Sequence, residues 1–165
     1  MVRSAIALGS NLSPRQKHLL DAIALMEQLK ESHIIARSRI YETPPVGGPE
    51  QGKFLNAAVE LETALSVDVL LKNLLSIEQS MGRIRNVRNG PRIIDLDIIF
   101  YDDLCNDSPH LTVPHPRFSN RGFVLLPMND IMPLYIDPRS GKTISELLVD
   151  WRREGDDDYF TLGPL

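Results

Sequence analysis

The chain has one cysteine, Cys105. That excludes an internal disulfide and points to a reducing compartment. Cys105 stands in a polar loop with no evident histidine partner and reads as a structural or incidental thiol. No apolar run reaches the ~18 residues that a membrane span needs. Ala5-Ile6-Ala7-Leu8 is too short for a signal core and runs into Gly9-Ser10-Asn11 rather than a cleavage site. A broad basic face is missing too, and a net charge of −4 argues against general nucleic-acid binding. Internal repeats and low-complexity segments are absent. So are Gly-x4-Gly-Lys-Ser/Thr and a kinase-type His-Arg-Asp loop, the common ATP-site motifs. What remains reads as one domain spanning residues 1–165, 42% apolar and 24% charged. It is long enough to bury a core and is expected in the cytoplasm, with no membrane or nucleic-acid partner.

The densest chemistry lies at Gly90-Pro91-Arg92-Ile93-Ile94-Asp95-Leu96-Asp97-Ile98-Ile99-Phe100-Tyr101. Around two acids, everything from Ile93 to Tyr101 is apolar, β-branched or aromatic, which is strand composition. Side chains alternate on a strand, so Asp95 and Asp97 share one side while Ile94, Leu96, Ile98 and Phe100 take the other. Two neighbouring carboxylates on a buried strand repel each other and lose solvation; a cation removes both penalties. Mg²⁺ usually accepts two such oxygens and leaves positions for water and phosphate. The plainer alternative is an edge strand with two solvated acids. The preceding segment favours the metal. Arg83, Arg85, Arg88 and Arg92 fall within ten residues that contain no acid. Guanidinium forks match phosphate oxygens, so arginines running into an acidic pair read as a polyphosphate–metal site.

Periodicity orders the rest. Val2–Leu8 reads as a buried strand. Ser13-Pro14-Arg15-Gln16 reads as a capping box that opens a helix with Leu19, Ala22, Ile23, Met26 and Leu29 inward. His33–Tyr41 and Phe54–Glu62 read as strands, the second with Leu55, Ala57, Val59 and Leu61 inward. Ser66 caps a second helix bearing Val67, Leu70, Leu71, Leu74, Ile77 and Met81, and Gly82 sits at its C-terminal end. The Asp95/Asp97 strand follows. The order β-α-β-β-α-β predicts a ferredoxin-like α+β fold: an antiparallel four-stranded sheet with both helices on one face. Beyond Tyr101 the pattern predicts a short strand at Leu111–Val113 and a helix over Asn120–Leu126 that Pro127 ends. A capping box at Thr143-Ile144-Ser145-Glu146 opens a terminal helix through Trp151. The core is placed at about 2–135 and a loop-rich C-terminal extension at 136–165. The acids Glu154, Asp156, Asp157 and Asp158 read as a solvated tail.

Two long loops, Glu42–Lys53 and Arg83–Arg92, flank the sheet like lids over a site. Phe54 and Asn56 have the parity opposite to Leu55 and Ala57, so they face the loop side. An aromatic ring beside an amide suits a flat heterocycle; packing of Phe54 under the proline loop fits the spacing equally well. His115, between Pro114 and Pro116, carries no assignment on its own.

Taken together, these segments resemble the 6-hydroxymethyl-7,8-dihydropterin pyrophosphokinase family. The matching pieces are Ala7-Leu8-Gly9-Ser10-Asn11-Leu12, Tyr41-Glu42-Thr43-Pro44-Pro45, Phe54-Leu55-Asn56-Ala57-Ala58-Val59 and Gly82-Arg83-Ile84-Arg85. They continue with the Gly90–Ile99 segment, Leu111-Thr112-Val113-Pro114-His115 and Asn120-Arg121-Gly122-Phe123. The resemblance implies transfer of pyrophosphate from ATP, the co-substrate, to the hydroxymethyl group of the dihydropterin, with AMP released. It implies that Asp95 and Asp97 hold two Mg²⁺ ions, that Arg83 and Arg92 stabilise the transferring group, and that Arg85 and Arg88 belong to a catalytic loop. His115 and Arg121 would contact ATP phosphates, with Leu71, Glu78, Ile98 and Thr112 near the nucleoside. The pterin would lie between Phe54 and Phe123, beside Asp95, read by Asn56 and by the backbone of Thr43, Pro44 and Val46. The partners implied are small molecules alone, bound by a monomer. Asn89, Phe54 and Pro116 depart from the family, which often carries tryptophan, tyrosine and an aromatic there. Two other functions compete: a metal-dependent nucleotidyltransferase, whose Gly-Ser and Asp-x-Asp lie close together, and a non-catalytic ligand-binding module on the same fold.

Overall fold

The computed structural model describes residues 1–84, 87–154 and 160–165. Arg85 and the acids at 156–158 therefore lie outside the described residues. The strands are β1 (Val2–Ser10), β2 (Ser32–Arg37), β3 (Arg39–Thr43), β4 (Phe54–Thr63), β5 (Asp95–Tyr101), β6 (Asn106–Asp107), β7 (Thr112–Val113) and β8 (Phe160–Pro164). The helices are α1 (Arg15–Met26), α2 (Val67–Ser80), α3 (Gly122–Ile131) and α4 (Ile144–Glu154). The main sheet runs β5-β1-β4-β3-β8, and β2 also pairs with β4. Every pairing is antiparallel. Without β8, this is the expected ferredoxin-like α+β arrangement. The edge strand β8 was not foreseen.

His33–Tyr41 is not one strand. Ser38 interrupts it: its hydroxyl accepts from Ala58 N at 2.8 Å while its own N–H reaches Ala58 O. The side chain replaces a ladder carbonyl, so β2 and β3 follow one another along the same edge of β4.

α1 and α2 cover one face, as expected. Leu19, Ala22, Ile23, Met26, Leu70, Leu74 and Ile77 meet Ile6, Leu8, Leu55, Ala57, Val59, Leu61, Leu96 and Ile98 in the main core. The Ser13 capping box does not form. Pro14 stays extended with ψ 100°, the helix starts at Arg15, and no side chain caps it. Ser66 does cap α2, accepting from Val69 N at 3.4 Å. At the other end, Gly82 takes φ +89°. Its N–H reaches Gln79 O, and Arg83 N–H reaches Glu78 O at 3.1 Å. This is a Schellman closure, and it turns Arg83 back beside Glu78.

α3, with α4 packed on it, covers part of the opposite face, where Val124, Leu125, Met128, Ile144, Leu147 and Leu148 share one core with Ala5, Ala58, Ile99 and Phe100. Pro127 does not end α3 but sits inside it. It is buried among neighbours that are apolar nearly all round the helix, and their burial outweighs the roughly 3 kcal/mol that an internal proline costs. Phe100 is also on this second face, not with Leu96 and Ile98. Between Ala5 and Ile6 the pairing with β5 slips by one residue, and the bulge reverses the alternation. The capping box of α4 does form: Glu146 Oε2 accepts from Thr143 N at 2.8 Å, and Thr143 Oγ1 accepts from Glu146 N at 3.2 Å. Among the described residues no helix is long and apolar enough to cross a membrane.

Candidate active site

The site lies where α3 and α4 stop covering the sheet. Asn56 on β4, Gly9 on β1 and Asp95 on β5 are side by side across three strands, and Ala58, Ala7 and Asp97 form the next row. The smallest side chains occupy the middle strand. A Cβ on Gly9 would stand 3.1 Å from Asn56 Oδ1 and 3.6 Å from the Phe54 ring. The glycine therefore keeps a floor open between an aromatic wall and an acid. Asp95 and Asp97 precede the β5 bulge, so they do share one side, as the alternation requires.

A cavity of about 170 Å³ sits on this floor. Phe54, Asn56, Thr43, Pro44 and Val46 line it on one side; Arg92, Asp95, Asp97, Arg121 and Phe123 line it on the other. Every residue expected to hold the pterin is present. Asn56 Nδ2 donates to Thr43 Oγ1 at 2.6 Å, which fixes the amide orientation. The Arg92 guanidinium lies 4.9 Å from the Phe54 ring centroid, and that of Arg121 lies 5.5 Å from the Phe123 centroid. These cation–π contacts hold both rings at the mouth.

A second cavity, of about 400 Å³, opens on the far side of Asp97. Leu71 and Glu78 from α2, Ile98 from β5, Thr112 from β7 and His115 line it. These are the residues expected near ATP, except the arginines. Asp97 lines both cavities. Arg83, Arg88 and Arg92 line a third hollow over Asp95. Arg121 belongs to the first cavity, not the second.

Charge is concentrated between the cavities. Arg83 Nη1 donates to Glu78 Oε1 and Asp95 Oδ1, both at 2.6 Å. Arg92 Nε donates to Asp95 Oδ2 at 3.0 Å. Glu78 is buried and also accepts from Leu96 N at 2.8 Å. Burial opposes the charge on Arg83, but Asp95 and Glu78 more than offset it and hold the guanidinium above its ordinary value. Asp97 is the opposite case. Burial, then Asp95, then Glu78 push its carboxyl up. The structure shows no hydrogen bond to its side chain from a described residue. An acid left in this state beside a second carboxylate fits a divalent cation. Among the described residues no third His, Cys, Asp or Glu completes an all-protein metal cage, so such an ion needs oxygens from substrate or water. Burial, then Arg121 and Arg117, push the His115 imidazole down to about 4, so it is neutral at physiological pH.

Sequence reasoning missed the residue that ties the lids. Asn11 Nδ2 donates to Gln51 Oε1 at 2.8 Å and Gly52 O at 3.2 Å, while Asn11 Oδ1 accepts from Arg92 N at 2.9 Å. Gln51 Nε2 then reaches Asn89 O at 2.8 Å. Asn89 has φ +55°, a conformation asparagine tolerates. The only sequence signal was Asn11 directly after Gly9-Ser10.

The profile of the family described as 7,8-dihydro-6-hydroxymethylpterin-pyrophosphokinase matches residues 5–133. The 2-amino-4-hydroxy-6-hydroxymethyldihydropteridine pyrophosphokinase of Bacillus subtilis is 40% identical over 156 residues, 94% of this chain and 93% of that protein. The Synechocystis protein of the same name is 41% identical over 145 residues, 88% of this chain and 74% of that protein. The fold is similar to that of Plasmodium falciparum HPPK-DHPS wild type crystallised with pteroate, with a TM-score of 0.71 and 17% identity. That alignment covers 91% of this chain and 42% of the other, so this chain spans less than half of that protein. Two relatives at about 40% identity and a profile that spans most of the chain settle the question of kinship: the chain belongs to the 7,8-dihydro-6-hydroxymethylpterin-pyrophosphokinase family.

Proposed function

We propose that this chain transfers the β- and γ-phosphates of ATP, as pyrophosphate, to the hydroxymethyl group of 6-hydroxymethyl-7,8-dihydropterin, a step of folate biosynthesis. The observation that carries this reading is the position of Asp97, which lines both the cavity floored by Gly9 and the cavity beside Glu78. A heterocycle in the first and a nucleoside in the second would bring the hydroxyl and the triphosphate together over the two acids. The hydroxymethyl oxygen bonds to the β-phosphorus, the bond from that phosphorus to the α–β bridging oxygen breaks, and AMP leaves with the electron pair. The hydroxyl proton goes to solvent.

Phe54 and Phe123 stack the pterin, Asn56 reads its edge, and the backbone of Thr43, Pro44 and Val46 closes the rim. Leu71, Ile98 and Thr112 enclose the nucleoside, and Glu78 holds the strand end that carries Asp95 and Asp97. Asp95 and Asp97 hold two Mg²⁺ ions, which supply neutralisation of the phosphates and a lower pKa for the attacking hydroxyl. Arg83 and Arg92, which pair with Asp95 in the free protein, turn to the transferring group. Arg88 and Arg121 add positive charge around it, and neutral His115 donates or accepts a hydrogen bond at the phosphates. Positioning and charge neutralisation suffice for such a transfer. The lids tied through Asn11 and Gln51 keep water, the competing acceptor, away. We read the protein as a cytoplasmic monomer without nucleic-acid or membrane partners.

The test is to incubate the protein with ATP, Mg²⁺ and the pterin alcohol and to identify the nucleotide formed. AMP supports the reading. ADP, free pyrophosphate without pterin modification, or no turnover counts against it. Metal titration of turnover reports whether two ions are needed.

A further inference from the structure

We propose that Trp151, on the terminal helix, is a positioning residue for the pterin site: it holds the wall formed by Arg121 and Phe123 by seating its ring on Gly122. The proposal rests on the reading of Phe123 as a pterin contact given above.

The contact is unusually close. A Cβ added to Gly122 would overlap Trp151 Cζ2 and Cη2 and stand 2.8 Å from Cε2. Only a residue without a side chain admits the indole there. Gly122 is the first residue of α3, flanked by the two residues that line the first cavity. What presses on Gly122 sets the position of both.

The N-terminal turn of α3 needs outside support. Pro127 has no N–H, so the carbonyl of Phe123, four residues earlier, lacks its helical donor. Within the turn, Arg121 O accepts from Val124 N and Leu125 N, both at 3.0 Å. No described side chain caps it. The far end of α3 is held separately: both oxygens of Asp130 take the Tyr41 hydroxyl, at 3.0 and 2.9 Å, and the Arg39 guanidinium. Trp151 is the matching support at the end that faces the substrate. Like Phe123, it packs against the second core. Neither Arg121 nor Phe123 lines the cavity beside Glu78. The brace therefore acts mainly on the pterin cavity and reaches ATP only through the charge of Arg121 at the transferring group, not at the nucleoside.

Steady-state kinetics on the full chain test this, with Trp151→Ala, Trp151→Phe, Phe123→Ala and the double variant Trp151→Ala/Phe123→Ala. Trp151→Ala is expected to raise KM for the pterin about tenfold, with a smaller rise, below about threefold, in KM for ATP, which Arg121 meets only at the phosphates. Trp151→Phe keeps a ring on Gly122 and restores most of the loss. In the Phe123→Ala background, Trp151→Ala adds less than about twofold, because the wall it supports is gone. Three results overturn the proposal: an unchanged pterin KM in Trp151→Ala, equal rises in both KM values that track a loss of thermal stability, or the same fold-change with and without Phe123. If Phe123→Ala itself leaves the pterin KM unchanged, the reading of the cavity fails first, and the brace falls with it.

Discussion

The two faces of the sheet use the same strands and end as opposite surfaces. On one face α1 and α2 cover β1, β4 and β5, and the interface is largely aliphatic. On the other, α3 and α4 cover only the half around Ala5, Ala58 and Phe100. The uncovered half carries Gly9, Phe54, Asn56, Asp95 and Asp97. Neighbouring residues of β4 belong to different worlds: Leu55 and Ala57 to the core, Phe54 and Asn56 to the cavity. A strand can be core and site at once because its side chains alternate, and the site is simply where the second cover stops.

That contrast can be broken by experiment. The largest effect is expected at the two acids. Asp95→Ala or Asp97→Ala should keep the fold and lower turnover about 10³-fold or more. Circular dichroism and AMP release measure both halves of the statement; near-full rate with Mg²⁺ in either variant would remove the metal assignment. Next is the closed face, where Leu74→Ala should cost about 2–5 kcal/mol in urea unfolding and leave both KM values in place. A changed KM with unchanged stability would show that the closed face also shapes the site. Phe54→Ala, on the same sheet but the open face, should weaken pterin binding about tenfold by fluorescence titration. Its stability loss should be smaller than that of Leu74→Ala.

The smallest effect concerns His115, whose imidazole has an ordinary value of 6.5 and is pushed down to about 4 in the fold. Between these values the unfolded chain binds a proton that the folded chain refuses. Stability from this group is full above pH 6.5 and falls as pH drops through 6.5 toward 4. His115→Gln should flatten that part of the pH dependence. Identical slopes in denaturant unfolding of the two proteins from pH 7 to about 4.5 would show that the imidazole is not desolvated as described.

Much of the fold was legible because local signals agreed with global ones. Alternation in β4, the Ser66 cap, Gly82 and the Thr143/Glu146 box all formed as read. Three of the misreadings share a cause. Ser38, Pro127 and Phe100 each sit where a nonlocal partner outvotes local preference: Ser38 against Ala58, Pro127 inside the second core, Phe100 past a bulge set by β1. Apart from Arg83 and Arg88, which line a third hollow over Asp95, and Arg85, which lies outside the described residues, the residues expected around the substrates fall into two adjoining cavities, but Asn11, Gln51 and Trp151 carried too little signal. Their importance depends on Arg92, Asn89 and Gly122, which are far away along the chain.

By itself, the sequence determined which residues share a face up to the β5 bulge, where α2 turns back to deliver Arg83, and that two acids and several arginines crowd one strand end. Those facts depend on the period of a strand or helix and on the caps at its ends, which are local. Only the tertiary structure decided that Asp97 lies between two cavities and that Asn11 joins two lids. The same is true of the terminal helix, which leans on the first residue of α3. Each of these is a contact between segments distant in the chain, brought together when apolar surface was buried, and no spacing along the chain encodes it.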